Sequence, residues 1–265
     1  MRPPTRTAFN RLTITSLLVA VAALSGCAHT GSGSSPSAAW SDAQQLVLVT
    51  VPDWDAPEGE LATYRRASVK AAWQRVGEPA PVTVGRSGSG WGLGLHAPQG
   101  DGPVKREGDG RAPAGVFAIG TAFGYAPAAA TALPYAPMDA GDYCIDVPAS
   151  PLYNRIVDST EVGAAAVKDS TEPMRRDIHA DGDQRYRLGF VVEHNGQAVP
   201  QAGSCIFAHL WKTPDTPTAG CTAMAPETMD RLLGWLRPEA APVFVLLPEA
   251  ELRRLQRAWG LPAPE

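Results

Sequence analysis

Ser204-Cys205-Ile206-Phe207-Ala208-His209-Leu210-Trp211 runs through the loop 212–219 into Gly220-Cys221-Thr222-Ala223-Met224. The first eight residues form a short apolar run that reads as a β-strand. Alternate side chains of a strand share a face, so Cys205, Phe207 and His209 point the same way. The Pro/Thr/Gly loop then delivers Cys221 twelve positions after His209. A cysteine with a neighbouring imidazole suits nucleophilic chemistry, because the thiolate attacks and the imidazole takes the proton. Gly220 would let the main chain approach a substrate closely, and N–H groups there would face a developing oxyanion. Read alone, His209 is a core histidine as readily as a base. His194, Cys205, His209 and Cys221 could also compose a two-Cys, two-His zinc set, but their spacing lacks the paired pattern of such sites, so no metal is expected.

Outward from this stretch, strands follow one another. Leu46 to Val51 is a β-rich run stopped by Pro52, Leu61 to Arg66 and Ala71 to Val76 read as a hairpin, and Val82 to Gly85 as a further strand. Residues 85–124 are rich in glycine and predict loops around one strand, Val116 to Ile119. Tyr125 to Asp142 reads as irregular and 142–184 as charged loop, a long decorated insertion of the kind that often serves as a substrate lid. Tyr186 to Glu193 and Val243 to Leu247 are further strands. Helical period is confined to the end: Met229, Leu232, Leu233 and Leu236 fall at i, i+3, i+4 and i+7 between Pro226 and Pro238, and Leu252, Leu255 and Trp259 mark a last helix. The pattern predicts a mainly β chain with peripheral helices, a β-rich α+β class.

Gly108-Asp109-Gly110-Arg111-Ala112-Pro113-Ala114-Gly115-Val116-Phe117 supplies a second motif. Together with His209, Thr218, Gly220 and Cys221 it resembles the L,D-transpeptidase catalytic domain, the YkuD-type family of cell-wall enzymes, over roughly residues 80–248. Leu210 stands where many members have glycine, and Thr222-Ala223 replaces a pair that commonly carries arginine or asparagine. The resemblance implies a β-sandwich catalytic domain with Cys221 as nucleophile and His209 as base, the Leu210 carbonyl orienting the imidazole and main-chain N–H groups near Gly220 holding the oxyanion. It implies peptidoglycan stem peptides as substrate, a thioester at Cys221 resolved by an amine, and no cofactor. Water in place of the amine would give an L,D-peptidase or amidase, and a noncatalytic wall-binding lipoprotein would use the same fold. Thr218, His194, Trp211 and Arg111 are candidate cleft residues, although His194 at a strand end also reads as a solvated turn residue and Asp109 with Arg111 as turn chemistry.

The start of the chain carries Arg2, Arg6 and Arg11, an apolar run from Ile14 to Leu24, then Leu24-Ser25-Gly26-Cys27. This order predicts a signal peptide over 1–26 and resembles the bacterial lipobox, in which Cys27 takes the lipid anchor and Ala28 after it favours the outer membrane. A periplasm-facing envelope lipoprotein follows, with a flexible tether over 27–43, a catalytic domain over 44–265 and a β appendage at 44–84. Without the first 26 residues the net charge moves from −4 to about −7, which argues against a nucleic-acid partner because phosphate binding needs a basic footprint. With Cys27 lipidated, Cys144, Cys205 and Cys221 remain, an odd number that permits three internal pairings. A Cys144–Cys205 bridge leaves Cys221 reduced and fits catalysis, whereas Cys205–Cys221 abolishes the nucleophile.

Overall fold

The computed structural model describes residues 39–263; Cys27 and the expected signal peptide lie outside the described residues. The strands in chain order are β1 (Gln45–Val51), β2 (Glu58–Arg65), β3 (Gln74–Arg75), β4 (Ala80–Thr83), β5 (Ser89–Trp91), β6 (Ala112–Gly124) and β7 (Tyr135–Pro137). After them come β8 (Asp142–Cys144), β9 (Ile156–Asp158), β10 (Glu172–Pro173), β11 (Leu188–Val192), β12 (Phe207–Leu210), β13 (Thr222–Met224) and β14 (Val243–Pro248). Three single-turn helices, α1 (Ser159–Val162), α2 (Ala164–Val167) and α3 (Arg176–His179), decorate the insertion, and α4 (Pro226–Trp235) and α5 (Glu249–Trp259) flank β14.

The chain is mainly β, as its pattern predicts, and the ladders form a closed ring of eight strands in the order β1, β14, β6, β11, β12, β13, β4, β2 and back to β1. Closure leaves no free edge on the ring strands. It also corrects two boundaries. Residues 44–84 are no appendage, because β1, β2 and β4 are members of the ring. The expected tether is also shorter at its end: Trp40 and Ala43 are buried, with Trp40 edge-on to Trp259 of α5 at 5.6 Å.

Around His209 the wall formed by β6, β11, β12 and β13 is buried on both faces, β12 and β13 throughout and β6 at all but 118–121. In β12, Ala208 and Leu210 join the main core while Phe207 joins a second apolar cluster on the other side; in β6, Ala122 and Phe123 divide in the same way. Burial on both faces explains the continuous apolar run around His209. The main core gathers the ring strands with α4 and α5 and includes Leu46, Phe117, Phe190, Phe244, Leu246 and Leu232.

The glycine-rich stretch read as loops around a four-residue strand keeps its loops over 92–111 but holds more strand than expected, β5 and the 13-residue β6. Gly115 carries φ +136°, and a Cβ there would collide with the His96 imidazole, so glycine lets the buried His96 ring lie against the strand. The region read as irregular and charged also has order: β7 joins β6 in parallel, and β10, β8 and β9 form a separate three-stranded sheet.

Candidate active site

The parallel ladder of β12 and β13 brings His209 and Cys221 onto one face of the sheet. Ala208 is level with Thr222 and His209 with Ala223, so Cys221, two residues before Ala223, shares the face that carries Phe207 and His209. The Phe207 N–H donates to Cys221 Sγ at 3.3 Å, and the thiol faces the Cys205 carbonyl at 3.5 Å. His209 Nδ1 lies 2.8 Å from the Leu210 carbonyl, the contact expected of Leu210; with Nδ1 as the donor, Nε2 is the basic nitrogen. Tyr186 stands edge-on to the His209 ring at 5.1 Å.

The loop before Cys221 is closed by Thr218. Its hydroxyl donates to the Cys221 carbonyl at 2.7 Å and accepts from the Gly220 N–H at 3.0 Å, and its amide donates to the Val84 carbonyl at 2.8 Å. Thr218 therefore shapes the loop that carries Cys221. Gly220 packs against the Arg111 carbonyl, and a Cβ there would stand 2.9 Å from that oxygen. Behind the loop is the buried Lys105, whose ammonium donates to Asp109 Oδ1 at 2.6 Å and to the Arg106 carbonyl at 2.7 Å.

The electrostatics keep both partners neutral. Burial pushes the Cys221 thiol up to about 12, the negative charge of Glu172 adds to this, and the Phe207 amide, Lys105 and the Tyr186 hydroxyl pull the other way. Burial lowers His209 to about 4 against the pull of the Leu210 carbonyl, with Arg185 and Arg176 adding to the decrease. Glu172 reaches the site from the insertion: Tyr186 donates to it at 2.6 Å and Arg176 pairs with it at 3.3 Å. Arg176 and Arg185 both also bind Asp183, holding that carboxyl well below its usual range.

Cys144 and Cys205 form a disulfide and Cys221 is a free, buried thiol. The bridge consumes Cys205, so the four-residue zinc set weighed from the sequence is not assembled. Arg111 is committed to structure: its guanidinium donates to the carbonyls of Trp54 and Ser89, each at 2.9 Å, and pairs with Asp55. Asp109 does cap the turn, accepting from the Arg106 and Arg111 amides. His194 is buried, which corrects the solvated-turn reading. Its Nδ1 accepts from Leu93 N–H at 3.2 Å, its Nε2 donates to the Ala202 carbonyl at 2.9 Å, and burial lowers it to about 4. It lines a cavity of about 370 Å³ that Phe207 and Cys205 also border. Trp211 is half-buried just beyond β12, its amide bonded to the Met224 carbonyl.

Sequence reasoning missed Tyr186, Glu172 and Lys105. None of the three lies in the two motifs, and all reach the thiol only through tertiary folding. Comparison with protein-family models, with curated proteins and with solved structures finds no match for this chain.

Proposed function

We propose that this protein is an L,D-transpeptidase-like cysteine acyltransferase acting on peptidoglycan stem peptides. The observation that carries the reading is a reduced Cys221 on the same face of a parallel ladder as His209, with Nδ1 of that imidazole on the Leu210 carbonyl. His209 Nε2 accepts the thiol proton, Cys221 attacks the stem carbonyl, and the imidazolium gives that proton to the amine of the departing terminal D-residue. An amine of a second stem then attacks the thioester and gives up a proton to the imidazole, which passes it to the departing Cys221 thiolate. Amides of the loop ending in Gly220 and Cys221 supply the oxyanion contacts. The same reading takes the ring as the family's β-sandwich, its walls pressed face to face, and places the protein at the periplasmic face of the envelope on a lipid at Cys27.

Incubating the protein with purified tetrapeptide muropeptides, followed by mass spectrometry, tests the reading. Loss of the terminal D-residue and an acyl adduct on the Cys221 peptide are expected, and both should disappear in Cys221→Ser and His209→Ala. Turnover by a folded Cys221→Ser variant overturns it. Loss of the D-residue without a cross-linked product would identify the hydrolase instead.

A further inference from the structure

The free thiol is covered. Cys221 is 8% exposed and His209 3%, and the layer over them comes from the insertion: Met138, Cys144 and Met174 pack with Tyr186, Phe207 and Cys221. Beside this layer lies the cavity of about 370 Å³, walled by Phe123, Val191 and Phe207 of the ring and by Met138 and Ile156 of the insertion. Cys221 does not border the cavity, but both cysteines of the disulfide do. The cross-link therefore stands between an open space and the sealed thiol.

Cys205 is where the three regions meet. Its sulfur is bonded to Cys144 of β8, its amide donates to the Asn154 carboxamide oxygen of the insertion at 2.8 Å, and its carbonyl faces the Cys221 thiol at 3.5 Å. It is also held at φ +55°, a conformation that a non-glycine residue keeps only when its surroundings impose it. Apart from the cross-link, the insertion meets the ring side through the apolar contacts of Met138 and Met174 with Phe123, Tyr186 and Phe207 and through the Tyr186 hydrogen bond to Glu172 of β10. Such a layer can open without unfolding the ring.

We propose that the Cys144–Cys205 disulfide is a redox latch: oxidised, it clamps the insertion over Cys221, and reduced by a dithiol, it frees β8 and joins the cavity to the thiol, admitting substrate. The cavity gives the dithiol its approach. One dithiol sulfur attacks the bridge to form a mixed disulfide and the second closes on the first, so the dithiol is oxidised to a disulfide. Cys144 and Cys205 leave as two thiols, having taken up two electrons and two protons. The inference rests on Cys221 as the reactive group of the proposed acyl transfer, but its test reads exposure of the thiol and not turnover.

The oxidised full chain is treated with a maleimide under native conditions, and the labelling rate of the Cys221 peptide is followed by mass spectrometry. The same rate is taken for wild-type protein reduced with dithiothreitol and for Cys144→Ala/Cys205→Ala, whose alanines exclude a new bridge to Cys221. Labelling is expected to rise at least about tenfold in both, because local opening replaces a clamped state. Hydrogen exchange should show protection lost in 138–179 and kept in β1 and β14. Equal labelling in oxidised and reduced protein overturns the latch, as does loss of protection throughout the ring on reduction. Should the double variant fail to fold, the reduced wild type decides alone by these two readouts. Rapid labelling without muropeptide turnover would sustain the latch while refuting the transpeptidase reading.

Discussion

The two buried layers on either side of the β6–β11–β12–β13 wall are built by different means. On one side, aliphatic and aromatic residues from seven of the eight ring strands (β1, β2, β4, β6, β11, β12 and β14), together with Met224 of β13 and residues of α4 and α5, pack without a charged group among them. On the other, the cluster has eight buried residues, three of them cysteines, and is bordered by Glu172, Arg176, Asp183 and Arg185. Hydrophobic burial is non-directional and adds with area, so the first layer holds the ring together. Hydrogen bonds and a disulfide are specific and individually breakable, so the second layer suits the proposed pair of Cys221 and His209 and the proposed latch over it. A single sheet thus divides the main core from the layer that holds the proposed site.

A deletion on each side should expose this division most clearly. Phe117→Ala removes a fully buried ring from the main core and is expected to cost about 3–5 kcal/mol, read as a lower denaturation midpoint with every probe moving together. Tyr186→Phe keeps the ring against His209 but strips Glu172 of its hydroxyl donor, at a cost of about 1–3 kcal/mol. Its loss of exchange protection should be confined to 138–187 and the neighbouring loop. Protection lost uniformly in Tyr186→Phe would mean that the two layers unfold as one.

Acid sharpens the contrast further. His209 and His194 are both lowered from 6.5 to about 4 by burial, so each is neutral in the fold and more basic in the unfolded chain. A depressed folded value makes their contribution complete above about pH 6.5 and lost as the pH falls through about 4. The slope for each imidazole is at most about 1.4 kcal/mol per pH unit. Glu172, raised by burial, acts in the opposite sense, so the comparison needed is urea midpoints of wild type and His209→Ala across that window. The variant should show the shallower slope; equal slopes would mean that His209 is already protonated in the fold.

Local pattern carried much of this structure and failed where long-range packing decides. The helices α4 and α5 were legible because their apolar residues repeat on one face, and β1 and β14 because their runs are continuous. β6 was not, since Gly115, Gly120 and Gly124 interrupt its apolar character. Each of them lies against another group, namely His96, the Glu193 carboxylate and the Arg187 carbonyl. The His209 and Cys221 pair stood out because both belong to one short motif. The burial of His194 beside Leu93, 101 positions away, the commitment of Arg111 to Trp54, 57 positions away, and the approach of Glu172 through Tyr186, 14 positions on, depend on the fold, and no local spacing reports them.

Glu172→Gln should produce the smallest effect and the most specific one. Glutamine can still accept the Tyr186 hydrogen bond through its carbonyl oxygen, and Arg176 retains Asp183 at 2.9 Å, so stability should change by less than about 1 kcal/mol. What disappears is a negative charge that, after burial, is the largest influence holding the Cys221 thiol up at about 12. The thiol should then ionise at lower pH, because a neighbouring anion no longer opposes the thiolate. The pH profile of Cys221 alkylation in oxidised Glu172→Gln should shift to the acid side of wild type, with the rate at pH about 8 rising about threefold or more. Exchange protection over the insertion should stay unchanged, which separates an electrostatic effect from opening of the latch. An unshifted profile would show that burial alone sets the thiol, and that the charged border of the second layer serves the insertion and not Cys221.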